Sequence, residues 1–307
     1  MSLKNIFRII RIQNLLIIVL SQVLIHYCLI LPVFVTTYFI TDEFPAHLSD
    51  INFILLVLST VFVASAGYII NDYFDIDIDK VNKPGKNIVG KDISRHSAKR
   101  LFFILSGLGI IIGFYLAILI DKPVMGLIHV FSATSLWMYS SHFKRRLFSG
   151  NVIVALLCAL SILTPGLFEP EFYSNIVLIF WFAVPAFLLS FARELIKDIE
   201  DLKGDELSQC NTAPIALGIT ATKIIIAFLI LSTITFITYI LYENFYINKI
   251  IGFWYLLLMF IIPLLALLYL ALSAGEKRDY HYASLFAKIL MLAGILTLLP
   301  FWYYFVK

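Results

Sequence analysis

The chain has 307 residues, of which 61% are hydrophobic and only 14% are charged, and its formal net charge is +3 at pH 7. Soluble domains are about half apolar and about a quarter charged, so this composition excludes an ordinary soluble protein and predicts a polytopic membrane protein. The three cysteines lack C-x-x-C spacing and indicate neither a disulfide framework nor a zinc site. No nucleic-acid partner is expected, and the sequence leaves the oligomeric state open.

In chain order, the first predicted element is a short amphipathic helix that carries Lys4, Arg8 and Arg11. The apolar run that follows, from Leu15 to Ile40, is too long for a signal peptide, whose apolar region has about 7–15 residues. It is therefore read as the first span, since a spanning helix needs about 20 apolar residues. The predicted spans are approximately 14–39, 51–71, 101–120, 123–141, 151–168, 175–193, 221–242, 250–272 and 284–305.

The distribution of lysine and arginine predicts the orientation of these nine spans. With the N-terminus in the cytoplasm, 20 of the 23 basic residues fall on the inner side, and only Lys122, Lys249 and Lys307 fall outside. This is a strong positive-inside signal. It places the C-terminus outside and two long connections, approximately 72–100 and 194–220, on the cytoplasmic face.

Each of these two connections begins with an acidic cluster of the same spacing. Aspartates recur at i, i+3 and i+7, as Asp72, Asp75 and Asp79 in the first cluster and as Asp198, Asp201 and Asp205 in the second. On a helix this spacing places three carboxylates on one stripe, where they repel one another unless a cation neutralises them. We therefore expect the six aspartates to bind a divalent metal, and Mg²⁺ bound in this way commonly accompanies a phosphorylated substrate.

Basic residues beside the clusters fit such a substrate, and metal plus diphosphate in a membrane suggests a prenyl donor. Asn71 and Lys197 each precede the first aspartate of a cluster, and Lys144 ends the fourth span near Tyr139.

A divalent-cation transporter is the alternative function from another class of protein. Transporter ion sites tend to lie near the bilayer midplane, whereas these aspartates lie at the ends of spans in basic loops. The hydrocarbon tail would lie among the spans, behind the clusters, near Ser65, Tyr68 and Ser190.

Both clusters resemble signatures of the UbiA superfamily of intramembrane prenyltransferases. The first signature is N-D-Y-F-D-I-D-I-D-K-V-N-K-P from Asn71, and the second is R-E-L-I-K-D-I-E-D-L-K-G-D from Arg193. The resemblance implies an all-α bundle of nine transmembrane helices around a central cavity, formed by one domain over residues 1–307. The two connections would cap that cavity on the cytoplasmic side.

The resemblance also implies roles for individual residues. Most of the metal binding and catalysis would belong to Asp72, Asp75, Asp198 and Asp201, with Asp79 and Asp205 in support. Lys144 would take part in catalysis, and the donor diphosphate would be bound by Asn71, Lys86, Arg95, Tyr139, Lys144 and Lys197. The expected reaction is Mg²⁺-dependent prenyl transfer from an allylic diphosphate to a lipid acceptor, with a prenylglyceryl phosphate favoured. An aromatic acceptor, such as a quinone or chlorophyll-type precursor, is the alternative.

Overall fold

The structure is a computed structural model that describes residues 3–43, 45–76, 88–172, 175–244, 254–255, 257–300 and 302. The described residues form helices and short connections. Among them, one isolated β-bridge joins Val89 and Ile93. The helices are α1 Leu3–Ile9, α2 Ile12–Ile25, α3 Leu31–Thr41, α4 Asp50–Phe74, α5 Arg95–Leu119, α6 Leu127–Ser141, α7 Ser149–Phe168, α8 Ile176–Glu200, α9 Leu202–Leu207, α10 Ala213–Leu217, α11 Ile219–Asn244, α12 Ile262–Ser273 and α13 Lys277–Leu296.

Serine caps start two of the long helices at the positions that the sequence favours. The Ser49 hydroxyl accepts the Asn52 N–H before α4, and the Ser94 hydroxyl accepts the Ser97 N–H before α5. Such caps satisfy amide groups that have no partner inside the helix. A π-helical turn, His26–Ile30, joins α2 to α3, just before Pro32. The serine caps thus mark where α4 and α5 begin, and the π-helical turn marks where the first span changes from α2 to α3.

Seven helical segments in the described part of the chain are long and apolar enough to cross a membrane. They confirm the prediction of an all-α, multi-pass integral membrane protein. The two other predicted spans coincide with shorter helices: 123–141 contains α6, and 250–272 overlaps the apolar segment Leu257–Ser273. The observed helices also extend past the predicted apolar limits, because α4 and α8 continue into their polar ends at Phe74 and Glu200.

The chain divides into two compact units, and the first comprises residues 1–143, 160–179 and 297–307. Within it, α4 packs against α5 and α6. Gly109 permits the close approach of α5 to α4, since a Cβ there would lie 2.8 Å from the Ser59 carbonyl oxygen. Small residues allow membrane helices to pack backbone to backbone. The buried Glu169 carboxylate accepts the Leu48 N–H at 2.9 Å, which ties the connection before α4 to the end of α7.

The second unit comprises residues 144–159 and 180–296. Its core is a cluster of buried side chains from α8, α11, α12 and α13. Alanines of α8 and α13, among them Ala192, Ala283 and Ala287, are fully buried in this cluster. Small side chains allow membrane helices to pack closely. The second acidic cluster therefore lies at the end of a helix that is firmly packed.

Candidate active site

The first acidic cluster lies where α4 ends. The predicted continuous stripe is interrupted there, because the helix stops at Phe74 and Asp75 caps it with φ −88° and ψ 2°. The Asn71 side-chain amide donates to Asp75 Oδ2 at 2.7 Å, and Asp75 is only 3% exposed. The structure thus brings Asn71 and Asp75 together, whereas the role predicted for Asn71 in binding the diphosphate stays a prediction.

Arg11 is a partner of this cluster that sequence reasoning assigned only to membrane orientation. Its Nη2 donates to Asp72 Oδ1 at 2.9 Å, and its guanidinium lies 5.0 Å from the centre of the Tyr68 ring. Burial opposes the charge of Arg11, but Asp72, Tyr68 and Asp75 together outweigh that effect and raise the Arg11 pKa above its ordinary value. No spacing rule connects residues 11 and 72, so the sequence carried no signal for this pair.

The other predicted residues of the first unit are placed as follows. Arg95 is the exposed first residue of α5, and Tyr139 is half-buried near the end of α6. Asp79 and Lys86 lie outside the described residues, so their predicted roles stay predictions.

An apolar cavity of about 370 Å³ lies between α1, α2, α4 and α5, and its lining includes Leu15, Phe62, Ser65 and Leu105. Ser65 lies two helical turns behind Asp72 on α4.

The second acidic cluster spans the junction between α8 and α9. Asp198 lies on α8 and accepts a hydrogen bond from the Asn151 side-chain amide at 2.8 Å. Asp201 occupies the bend between the two helices, with φ −96° and ψ 5°, and its Oδ1 lies 4.0 Å from Lys277 Nζ. Asp205 is buried on α9. Here too a helix ends within the stripe, so the three carboxylates do not continue along one straight helix.

Cations accompany this second cluster. Lys197 Nζ donates to Glu194 Oε2 at 3.2 Å, and Arg193 Nη1 donates to Glu194 Oε1 at 2.7 Å. Lys144 is half-buried in the short 3₁₀ turn Phe143–Arg145, and its charge also acts on Glu194. Lys197 and Lys144 were predicted as binding residues, whereas the central position of Glu194 was not. Its partners Arg193 and Lys197 lie one and three residues away on α8, so helical spacing could have indicated at least the pair with Lys197.

The family of the chain follows from comparison with known proteins. The model of the UbiA prenyltransferase family matches residues 29–292, which include both acidic clusters. The chain belongs to the UbiA prenyltransferase family. It is therefore a prenyltransferase, and the predicted resemblance is confirmed.

Two curated relatives of this UbiA family member are named digeranylgeranylglyceryl phosphate synthase. The protein from Methanothermobacter thermautotrophicus is 36% identical over 59% of the chain, and the match spans 62% of that relative's length. The protein from Saccharolobus solfataricus is 30% identical over 97% of both chains. The second match shows that the similarity extends along nearly the whole sequence.

Solved structures share the fold. A structure from work on digeranylgeranylglyceryl phosphate synthase in membranes matches with a TM-score of 0.65 and 24% identity, covering 96% of each chain. A UbiA homolog from Archaeoglobus fulgidus bound to DMAPP and Mg²⁺ matches with a TM-score of 0.58 and 14% identity, covering 96% of this chain and 99% of the other. Both likenesses show that the UbiA family member has the family's fold.

The chemistry of the two acidic clusters fits Mg²⁺. The described aspartates of the clusters provide carboxylate oxygens, which are the ligands that hard divalent cations prefer. These aspartates are Asp72, Asp75, Asp198, Asp201 and Asp205. Within the described residues, no group of three or more His, Cys, Asp or Glu side chains is arranged to hold a metal ion. Mg²⁺ usually takes one or two carboxylates from the protein and completes its shell with phosphate oxygens and water. The UbiA family member thus offers the type of ligands needed for a metal bound together with diphosphate.

Proposed function

We propose that the protein transfers a prenyl group from an allylic prenyl diphosphate to the free hydroxyl of a prenylglyceryl phosphate within the membrane. The observation that carries the proposal is the match along 97% of both chains to a relative named digeranylgeranylglyceryl phosphate synthase. The carboxylates at the ends of α4 and α8 support it, because the proposed donor is a diphosphate and needs cations to bind it. The A. fulgidus homolog, which shares the fold, binds both DMAPP and Mg²⁺.

The proposal assigns the metal to the six aspartates predicted from the sequence. Bound Mg²⁺ would neutralise the diphosphate leaving group and so stabilise the charge that develops as it departs. Asp72, Asp75, Asp198 and Asp201 would provide most of the ligands, with Asp79 and Asp205 in support. Asn71 and Asn151 are well placed to orient two of these carboxylates, since they donate to Asp75 at 2.7 Å and to Asp198 at 2.8 Å.

The diphosphate would also be held by side chains of this protein. Lys144 and Lys197 are two of the described cations beside the second cluster, and Arg95 is the first residue of α5, in the same unit as the first cluster. Ammonium and guanidinium groups form charge-assisted hydrogen bonds with phosphate oxygens that are about twice as strong as neutral ones. Asn71, Tyr139 and Lys86 complete the proposed set.

In the proposed reaction, the bond between C1 of the donor and its diphosphate oxygen breaks, and that oxygen keeps the electron pair. The acceptor hydroxyl oxygen forms a new bond to C1, and the hydroxyl proton is released. The products are therefore an ether, diphosphate and a proton. The residues of the protein bind the leaving group, hold the prenyl chain among apolar side chains and keep water away from C1.

The proposal includes one prenyltransferase domain over residues 1–307, with nine spans around a central cavity. The N-terminus and the connections 72–100 and 194–220 would be cytoplasmic, and the C-terminus would be outside. The excess of basic residues on one side of the predicted spans supports this orientation.

A transfer assay in lipid nanodiscs tests the proposed function. Purified protein would receive labelled geranylgeranyl diphosphate and Mg²⁺ with one of three acceptors: geranylgeranylglyceryl phosphate, hydroxybenzoate or dihydroxynaphthoate. We expect efficient transfer to the glyceryl phosphate alone. Transfer to an aromatic acid without transfer to the glyceryl phosphate would reject the proposed acceptor. If no prenyl group is transferred to any of the three acceptors, the proposed donor is rejected as well.

A further inference from the structure

The apolar cavity of the first unit borders the first acidic cluster. Its lining at that end includes Ile10, Ile12 and Ile69. Arg11 lies between the first two in the sequence, and its Nη2 donates to Asp72 Oδ1 at 2.9 Å. A prenyl donor whose diphosphate is bound at Asp72 would thus have its hydrocarbon tail beside an apolar space, which such a tail prefers to water.

A buried hydrogen bond between α2 and α4 lies beyond the other end of this cavity. Val19 on α2 and Val61 on α4 are the lining residues of these helices that lie farthest from the acidic cluster. One turn after Val19, Gln22 Nε2 donates to Thr60 Oγ1 at 3.1 Å, and Thr60 directly precedes Val61. Gln22 is fully buried. A polar contact therefore joins the two helices just past the deepest part of the cavity.

Gln22 is also bound to a third helix, α7. Pro165 lies inside α7 and has no N–H, so it cannot donate to the carbonyl of Ser161 as another residue of a helix would. Gln22 Nε2 donates to this carbonyl oxygen at 3.0 Å. Neighbouring helices commonly satisfy the backbone groups that a proline releases within a membrane span. Two hydrogen bonds thus hold the Gln22 side chain, and displacing it would leave buried polar groups unsatisfied.

Close packing of α5 against α4 closes the cavity at the same level. Leu105 is the lining residue farthest along α5, and Gly109 follows it one turn later. A Cβ at Gly109 would lie 2.8 Å from the carbonyl oxygen of Ser59, which directly precedes Thr60. The two helices therefore touch there, beside the hydrogen bond of Gln22.

We propose that Gln22 and Thr60 form the floor of the site for the donor's hydrocarbon tail and so set the longest prenyl chain that the enzyme accepts. The inference rests on the proposed function and adds to it the residues that select the donor. They are side chains of a polar contact that a longer tail would have to displace.

The length of the cavity agrees with this role. The contact of Arg11 with Asp72 and the contact of Gln22 with Thr60 are separated by about 17 Å along α2 and about 18 Å along α4, at 1.5 Å per residue. An extended chain advances about 1.2 Å per bond, so a tail of four isoprene units spans about 18 Å. The floor therefore suits a geranylgeranyl tail and obstructs a longer one.

The test compares the chain-length preference of the wild type with that of Gln22→Ala and Val19→Phe. Each protein in nanodiscs would receive Mg²⁺, geranylgeranylglyceryl phosphate and a prenyl diphosphate of 15, 20 or 25 carbons. Gln22→Ala removes an amide and a methylene group, nearly the size of one isoprene unit. Its kcat/KM for the 25-carbon donor relative to the 20-carbon donor should rise at least about tenfold, because the extra carbons no longer have to enter filled space.

Val19→Phe changes the cavity in the opposite direction, because it adds volume just above the floor. It should lower kcat/KM for the 20-carbon donor about tenfold and leave the 15-carbon donor unchanged. This variant keeps both hydrogen bonds of Gln22, so it decides the question if Gln22→Ala loses stability.

Two control variants separate the floor from general effects on the helices. Gln22→Met fills about the same space without the hydrogen bonds and should keep the chain-length limit of the wild type. Leu58→Phe enlarges an exposed side chain on α4, two residues from Thr60, and should leave the preference unchanged.

Binding of unreactive thiolodiphosphate analogues of the same donors, measured with Mg²⁺ as the rise in Tm, provides a readout independent of turnover. The order of the three chain lengths should shift in each variant as it does in the transfer assay. If the wild type uses the glyceryl phosphate but Gln22→Ala and Val19→Phe both keep its chain-length preference, this inference is wrong while the proposed function stands. If the wild type transfers a prenyl group from none of the donors, the proposed function itself fails.

Discussion

Arg11 Nη2 lies 2.9 Å from Asp72 Oδ1, and the two residues are 61 positions apart in the sequence. This contact neutralises a carboxylate that is proposed to bind Mg²⁺. We therefore expect the guanidinium and the metal to compete for the negative charge of Asp72.

We predict that Arg11→Gln binds Mg²⁺ or Mn²⁺ more tightly than the wild type does. The Arg11 side chain is 37% exposed, and partly exposed ion pairs contribute about 1 kcal/mol or less, so the gain in affinity should be no more than about fivefold. Titration calorimetry of the purified protein with the metal and without substrate would measure it. Arg8→Gln, which removes an exposed arginine from α1, serves as the control. Equal or weaker metal binding by Arg11→Gln would contradict the competition.

The second prediction concerns the two leading aspartates. Asp72→Asn and Asp198→Asn each keep the shape of the side chain but remove the charge, so either change should lower kcat at least about a hundredfold by weakening stabilisation of the leaving group. EDTA should abolish transfer, and added Mg²⁺ should restore it. Glu200→Gln changes a neighbouring carboxylate that contacts His281, and it should leave transfer near the wild-type rate. Full activity in EDTA would eliminate the proposed role of the metal.

The third prediction concerns orientation. In a variant whose three native cysteines are replaced by serine, single cysteines at Lys91 and Lys203 should be protected from a membrane-impermeant thiol reagent added outside. A cysteine at Asp121 should react. All three positions are exposed on the protein, so access from one side of the membrane decides the result. Labelling of either Lys91→Cys or Lys203→Cys from outside would reverse the proposed topology.

The fourth prediction concerns the apolar cavity beside α4. Ser65 is buried in its wall, and the cavity has a volume of about 370 Å³. If the donor's hydrocarbon tail occupies this space, Ser65→Phe should shorten the longest prenyl chain that is accepted, because the larger ring fills the volume needed by the end of the chain. Competition among donors of 10, 15 and 20 carbons would measure the shift, and Ser65→Ala should leave the profile unchanged. The same chain-length preference in Ser65→Phe and the wild type would remove Ser65 from the tail site.

The sequence predicted those features that depend on neighbouring residues. Apolar runs located the long spans, and the predicted 151–168 agrees closely with the helix Ser149–Phe168. The ends of the helices at Asp75 and Asp201 were not foreseen, because the spacing of the aspartates alone suggested uninterrupted helices.

Contacts between distant residues explain the rest of the difference. Arg11 was read as an orientation signal, and Asn151 was read only as part of a span, yet each binds one of the leading aspartates. Residues of these types have many possible roles in a membrane protein. Only tertiary packing decides which of them reach the carboxylates.

The contact between Arg11 and Asp72 has a consequence for biogenesis. Both residues belong to the first 75 positions of the chain, whereas Asp198 is synthesised more than 120 residues later. During insertion, Asp72 therefore enters the membrane boundary with its own counter-charge already made. The Asp72 carboxylate can thus be neutralised by Arg11 before the second cluster, which begins at Asp198, has been made.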